Sequence, residues 1–473
     1  MKALPVIVAL LMVVAPIAGA VAPAGASIPA AEQPTDGSTV AQTDGGESAG
    51  DGSASADDED DGVNDGNGDD GSGDDENGDD EGEGGTIEPA DAEDELTFRV
   101  LSTPPDADPR TGTTMHGANI GTSLGLDVAD VDAALETEAV VRGIENADTS
   151  ADRQRRILAA VNQVEQDEVS LHSRQLAAIN AHAAGDLSDR ELLDELVTIA
   201  AVASEYDERL DVLDELADET DGFSSPSRLD ELQVQLQVYE GPVRAEALAA
   251  VRGETGGSNI HIETSDGAVV LATVDEAENR YVREVVRDDR WDRGGGSVSS
   301  EDAINVTAAS YPETAALREA DAFGAGSVHR VTVAHDFGEL RTFVSGGTDQ
   351  VFIEYQRIDL ETFPDFESVS TTGDGFNVTV DRSYAGGPVV VSVTDAEDGT
   401  PIDGVTVTKS VGGGDSEAIG TTDADGTIRT LSPADSYRIT VVDEPRVAVV
   451  DGITPTETPR LVDDQPSEES ETD

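Results

Sequence analysis

The sequence predicts a multidomain α+β protein: an α-helical hairpin or bundle over residues 96–256, a mixed α/β domain over 257–365 and an all-β sandwich over 366–461. Three observations predict it. Leu192, Leu196, Ile199, Ala203, Tyr206, Leu210, Leu213 and Ala217 recur four and three residues apart, the spacing of a coiled-coil seam packed on a neighbouring helix. From 257 to 365, apolar runs of strand character are interspersed with segments of helical character. Beyond 366, valines alternate with polar residues at period two, as in Val389, Val391 and Val393.

Charge bounds the setting. The chain carries 28 Lys+Arg against 100 Asp+Glu, a net charge of −72, and its only lysines are Lys2 and Lys409. Residues 31–95 hold 25 acids and no base, and 463–473 hold six acids. With those segments and Lys2 set aside, −42 remains on the rest, so the acidity is not confined to a tail. Self-repulsion on this scale opposes compaction in dilute buffer. The Debye length falls from ~10 Å at 0.1 M salt to ~3 Å at 1 M, so concentrated salt relieves it. The pattern resembles proteins of halophilic archaea. Nucleic acid is excluded as a partner, because phosphate contact needs basic clusters. No cysteine occurs, which excludes disulfides, thiolate chemistry and a lipid-modified cysteine anchor.

The first 26 residues read as a signal peptide. Lys2 precedes an apolar run over 3–20, interrupted by Pro5 and Pro16, and Ala18-Gly19-Ala20 and Ala24-Gly25-Ala26 offer cleavage sites. An uncleaved anchor is the competing reading, since the run approaches spanning length. No later segment reads as a transmembrane span. The expected location is extracellular or at the cell surface. Residues 27–95 are an acidic Gly/Asp/Ser/Glu linker that cannot bury enough surface to order itself. Within it Asp65, Asn67, Asp69 and Glu76 have calcium-loop spacing, but Asp70 stands where such a loop needs glycine.

Elements of the helical region follow from caps and periodicity. A short strand is expected near 98–101. Asp127 can cap a helix with apolar positions Val128, Val131, Leu135 and Ala139. A second helix starts at Thr149 or Ser150 and ends at Gly185. Ser188 and Glu191 then form a capping box, with Leu187 and Leu192 as its hydrophobic staple. Glu168, Gln175 and His182 interrupt the second helix where it should face the seam, so the seam is expected to be only partly covered. Residues 225–240, with Leu232, Val234, Leu236 and Val238, fit helix and strand equally well. Gly241-Pro242 starts a short helix ending near Arg252. The stretch Arg174-Gln-Leu-Ala-Ala-Ile-Asn-Ala-His-Ala-Ala-Gly-Asp-Leu-Ser-Asp-Arg190-Glu-Leu-Leu193 resembles a family of uncharacterised haloarchaeal exported proteins, which share a signal peptide, an acidic linker and this hairpin. The likeness extends over residues 96–365 and implies compartment and architecture, not chemistry.

In 257–365 a hairpin is expected around Asp266-Gly267, followed by a helix over 276–287 and a glycine-rich break at 294–296. A strand over 304–308, a helix over 313–322 and strands over 328–334, 340–344 and 351–356 complete the domain. In the last module, Val393-Thr-Asp, Gly399-Thr-Pro-Ile-Asp-Gly-Val405, Thr422-Asp-Ala-Asp-Gly-Thr427 and Tyr437-Arg-Ile-Thr-Val441 follow one another in an order that resembles a carboxypeptidase-regulatory-like, transthyretin-like β-sandwich. The resemblance implies an accessory fold with Tyr437 in its core and a tight turn at Asp425-Gly426. Residues 462–473 are expected to be an acidic tail.

No constellation points to catalysis, a cofactor or a metal. Gly121-Thr-Ser123-Leu-Gly125 has the nucleophile-elbow spacing, but polar residues 113–120 do not make the buried strand that elbow requires, so a loop before Asp127 is expected. His172 and His182, like His329 and His335, are too far apart in sequence for an i, i+4 zinc pair. Trp291, the single tryptophan, is expected to pack on a helix, with a sugar-stacking role as the alternative. Asn305 and Asn377 begin glycosylation sequons. These readings converge on an exported, non-enzymatic envelope protein acting in adhesion, scaffolding or partner binding. Its expected partners are an envelope protein, a glycan or a second copy bound through the helical domain. The alternative is a secreted hydrolase with its site in 257–365. A buried charged cluster at a pocket there would favour the hydrolase, and an exposed apolar patch on the helices would favour binding.

Overall fold

The structure is a computed structural model that describes residues 84–86, 98–315, 318–364 and 366–464. The signal segment, the calcium-spaced acids and most of the linker lie outside them. After β1 (Gly84–Thr86) and β2 (Arg110–His116), α1 (Ile120–Glu145) begins behind Asn119, whose Oδ1 accepts from the Gly121 amide at 3.1 Å. The helix therefore starts seven residues before Asp127, which is exposed within it. Thr149 caps α2 (Ser150–Ala183), and the Ser188–Glu191 capping box opens α3 (Asp189–Asp218). Between them Gly185 takes a φ of +85°, which only glycine adopts without strain. The ambiguous segment is helical. It forms α4 (Arg228–Gln237), and Leu232, Val234, Leu236 and Val238 are all buried because the helix lies between α3 and the sheet. Pro242 starts α5 (Pro242–Arg252), and Gly253 ends it.

The sheet strands come in two runs of the same spacing. The first is β3 (Ser258–Ser265), β4 (Ala268–Asp275) and β5 (Arg280–Arg287). Then α6 (Ser300–Ser310), α7 (Pro312–Ala315) and β6 (Glu319–Ala325) lead into β7 (Val328–His335), β8 (Gly338–Ser345) and β9 (Gln350–Asp359). All pair antiparallel in the order β1-β6-β7-β8-β9-β5-β4-β3-β2. Asp266-Gly267 is the expected hairpin turn.

Several expectations are corrected. The predicted helix over 276–287 is a turn followed by β5. Arg283, Glu284 and Arg287 mimic a solvent face in the sequence, yet all three are buried and paired. The predicted strand over 304–308 lies inside α6, which Ser299 caps by accepting from the Asp302 amide at 3.1 Å. The predicted helix over 313–322 stops at Ala315; β6 follows, with Ala320 and Ala322 facing inward. The strand near 98–101 is reduced to an isolated bridge at Val100. Residues 257–365 thus form an antiparallel sheet with one small helical insertion. The helices do not form a core of their own. Leu196 and Leu210 of α3 share one cluster with Ile262, Val286 and Tyr355 of the strands, so α1–α5 cover one face of the sheet. The opposite face carries α6 and α7 and, beside them on the sheet itself, the C-terminal module.

That module is a β-sandwich of two antiparallel four-stranded sheets. One comprises β10 (Glu367–Gly373), β11 (Phe376–Arg382), β12 (Pro388–Asp395) and β15 (Thr427–Leu431). The other comprises β13 (Thr406–Val411), β14 (Glu417–Thr421), β16 (Tyr437–Asp443) and β17 (Arg446–Ile453). Tyr437 and the alternating valines fill its core, and Gly426 makes its turn at φ +71°. After β17 a strap over 454–464 returns to the large sheet. Val100 donates to the Pro459 carbonyl at 2.8 Å and pairs in parallel with Arg460. Asp464, expected in the acidic tail, is instead buried against Arg287 and Arg290 at 2.9 and 2.6 Å.

Candidate functional site

One face of α1 is tied down. Leu126 and Ile144 are buried in the common core, and Val140 and Val141 pack against it. Arg209 of α3 donates through Nε to the Thr137 hydroxyl at 2.9 Å and pairs with Glu136 at 3.0 Å. Arg252 pairs with Asp130 at 2.7 Å. The opposite face is apolar and open. Ile120 is 87% exposed, Leu124 61%, Val128 55%, Val131 58% and Leu135 64%. Burying such a side chain is worth about 1.5–3 kcal/mol, so five in one line are a considerable unused driving force for association. The helical periodicity of Val128, Val131 and Leu135 is as expected, but these residues face water rather than a core.

The seam of α3 behaves oppositely. Leu196, Ile199, Leu210 and Leu213 are fully buried, and the polar interruptions of α2 do not leave them uncovered. Glu168 accepts from the Tyr239 hydroxyl at 2.7 Å and pairs with Arg293. Gln175 accepts from Arg244 at 2.6 Å, and Arg244 also pairs with Glu284 at 2.7 Å. His182 bonds the Thr264 hydroxyl at 2.7 Å and Asp189 at 2.9 Å. Residues that weaken a coiled-coil seam in the sequence thus join α2 to its surroundings.

A cleft of about 570 Å³ lies where α5, β3 and β4 meet the sandwich, lined by Met115, Glu246, Gly257, Asp275, Arg429 and Leu431 among others. Burial, reinforced by Asp275, pushes the Glu246 carboxyl up to about 7. Arg429 is tied to Asp423 at 3.2 Å. The buried pairs Arg244–Glu284, Arg283–Glu354 and Arg287–Asp464 do not line this cleft.

The remaining candidates are dispersed. Ser123 lies in the first turn of α1, not in a loop, and its amide donates to the Asn119 carbonyl at 2.8 Å. His172 packs edge-on against Trp291 at 5.1 Å, and burial pushes its imidazole down to about 4. Trp291 is buried as the packing reading expects, but it stacks on Phe352 of strand β9 at 4.7 Å, with His172 reaching it from a helix. Among the described residues no group of three His, Cys, Asp or Glu is arranged to hold a metal ion. Nor is any described helix long and apolar enough to cross a membrane. Asn305 is exposed on α6, with Thr307 of its sequon buried against Thr342 at 2.8 Å; Asn377 is half-buried on β11.

Comparison with known proteins gives three family matches. Residues 260–364 match a family of unknown function (DUF7094), and 367–450 match an archaeal fibronectin-III type-like domain, consistent with the C-terminal β-sandwich. No curated protein and no solved structure matches the chain. Residues 1–256, more than half of the 473, match a domain of unknown function (DUF7096), and the chain belongs to that family.

Proposed function

We propose that the chain is an exported, non-enzymatic protein of a halophile's cell envelope that acts as a scaffold, docking protein through the open face of α1. The observation that carries the reading is the alignment of Ile120, Leu124, Val128, Val131 and Leu135 opposite the packed face of that helix. The −72 charge, the apolar N-terminal run with its cleavage sites and the acidic linker support export into concentrated salt. The carboxypeptidase-regulatory-like resemblance and the fibronectin-type match both suit a module that spaces or binds. The hydrolase alternative draws on Glu246, but the buried pairs Arg244–Glu284, Arg283–Glu354 and Arg287–Asp464 lie outside the lining of its cleft. Envelope extracted in molar salt tests the reading. The chain should migrate in an assembly larger than itself, and Val131→Asp should shrink that assembly without changing the circular dichroism. Protease added to intact cells should digest it. An assembly indifferent to Val131→Asp, or a chain protected from outside protease, would refute it.

A further inference from the structure

The apolar stripe reads the same from either end. Leu124, Val128, Val131 and Leu135 are spaced four, three and four, and Ile120 and Ala139 stand four residues beyond at either side. An antiparallel two-fold pairing sets residue i of one copy on residue j of the other and j on i, so this symmetric spacing lays apolar on apolar along the whole stripe. An axis crossing α1 between Ala129 and Asp130 sets Leu124 of one copy on Leu135 of the other, and Val128 on Val131. The contact runs from 120 to 139, about 28 Å at 1.5 Å per residue.

The flanks fix the direction. With Leu124 and Val131 at heptad position d and Val128 and Leu135 at a, Gly125 and Asp132 fall at e, Asp127 and Ala134 at g, and all four are exposed. Parallel packing would put Asp127 beside Asp132 of the second copy, two like charges. Antiparallel packing puts Asp127 beside Ala134 and Asp132 beside Gly125, so no like charges face each other and the small neighbours leave each carboxylate in water. We propose that α1 pairs antiparallel with α1 of a second copy of this chain. The inference rests on the docking role of α1 given above and names its occupant. Two chains of net charge −72 repel at long range, and a Debye length of ~3 Å at 1 M salt confines that repulsion, so the pair belongs to concentrated salt.

The test uses the full chain in about 3 M potassium chloride. Sedimentation equilibrium should give twice the monomer mass, and Val131→Asp should return the monomer with unchanged circular dichroism. The chain contains no cysteine, so introduced ones report without background. A mixture of Leu124→Cys and Leu135→Cys should cross-link on oxidation at least tenfold faster than Leu124→Cys alone. Faster self-cross-linking of Leu124→Cys would overturn the antiparallel arrangement. Flotation of the wild type, but not of Val131→Asp, with phosphatidylcholine vesicles would assign the stripe to lipid and overturn the pairing. A purified chain that stays monomeric while its envelope assembly still depends on Val131 overturns this inference and leaves the scaffold reading standing. Indifference to Val131→Asp in both assays overturns both.

Discussion

Glu354→Leu probes whether charge compensation inside the central sheet is what holds the N-terminal segment down. Glu354 is fully buried, accepts from the Leu101 amide at 2.5 Å and pairs with Arg283, whose Nη2 donates to the Leu101 carbonyl at 2.6 Å. Burial works to strip the Arg283 proton, and the carboxylate outweighs it, leaving the guanidinium above its ordinary value. Removing the carboxylate strands that charge without a counter-ion, at about 3–5 kcal/mol. The double substitution Arg283→Met with Glu354→Leu removes both charges. What remains is the unsatisfied backbone of Leu101, at about 1–3 kcal/mol. The double variant should therefore be more stable than the single. Urea titration in about 2 M potassium chloride measures this. Trp291, the single tryptophan, reports through its fluorescence from the core it shares with Phe352. A single variant costing under about 1 kcal/mol, or a double variant no better than the single, would refute the reasoning.

Three further outcomes are expected. Dialysis into dilute buffer should loosen the fold and molar salt should restore it; circular dichroism unchanged between about 0.05 and 3 M potassium chloride would contradict the halophile reading. Leu210→Asp, at a fully buried position of α3, should destabilise by about 2–5 kcal/mol, whereas Val128→Asp on the open face of α1 should cost the monomer under about 0.5 kcal/mol; melting temperatures taken at a protein dilution that leaves the wild type monomeric compare them. Burial, with Asp207 and Glu208 nearby, pushes the Glu240 carboxyl up to about 7, so its favourable contribution is complete below its ordinary value of 4.5 and fades as pH rises through 7. Glu240→Gln should accordingly gain about 1–2 kcal/mol at pH 8 and nothing at pH 4, read from urea midpoints at the two values.

Features governed by neighbours in the chain were legible in advance. The cap at Thr149, the Ser188–Glu191 box, the turn at Asp266-Gly267 and the alternating valines of the sandwich each state a local rule that the structure keeps. Features governed by distant partners were not. The run Arg280–Arg287 carries charges that suit a solvent face, and only Glu354, Arg244 and Asp464, far away in sequence, make it a buried strand. Periodicity placed Val128, Val131 and Leu135 on one side of a helix, but what covers that side is not written in α1. The structure also repeats its own spacing: strands begin at 258, 268 and 280 and again at 328, 338 and 350, so the helix expected over 276–287 stands where the second run has its third strand.

The strap has a mechanical consequence. Residues 100 and 460 are paired directly, so the chain between them, central sheet and sandwich included, is a loop closed by that contact. Because the two segments run parallel, tension from residue 98 to residue 464 strains their hydrogen bonds and the Asp464–Arg287 pair together in shear, not one at a time. Pull applied along the chain crosses at this clasp. The sandwich, lying inside the closed loop, stays slack until the clasp gives way.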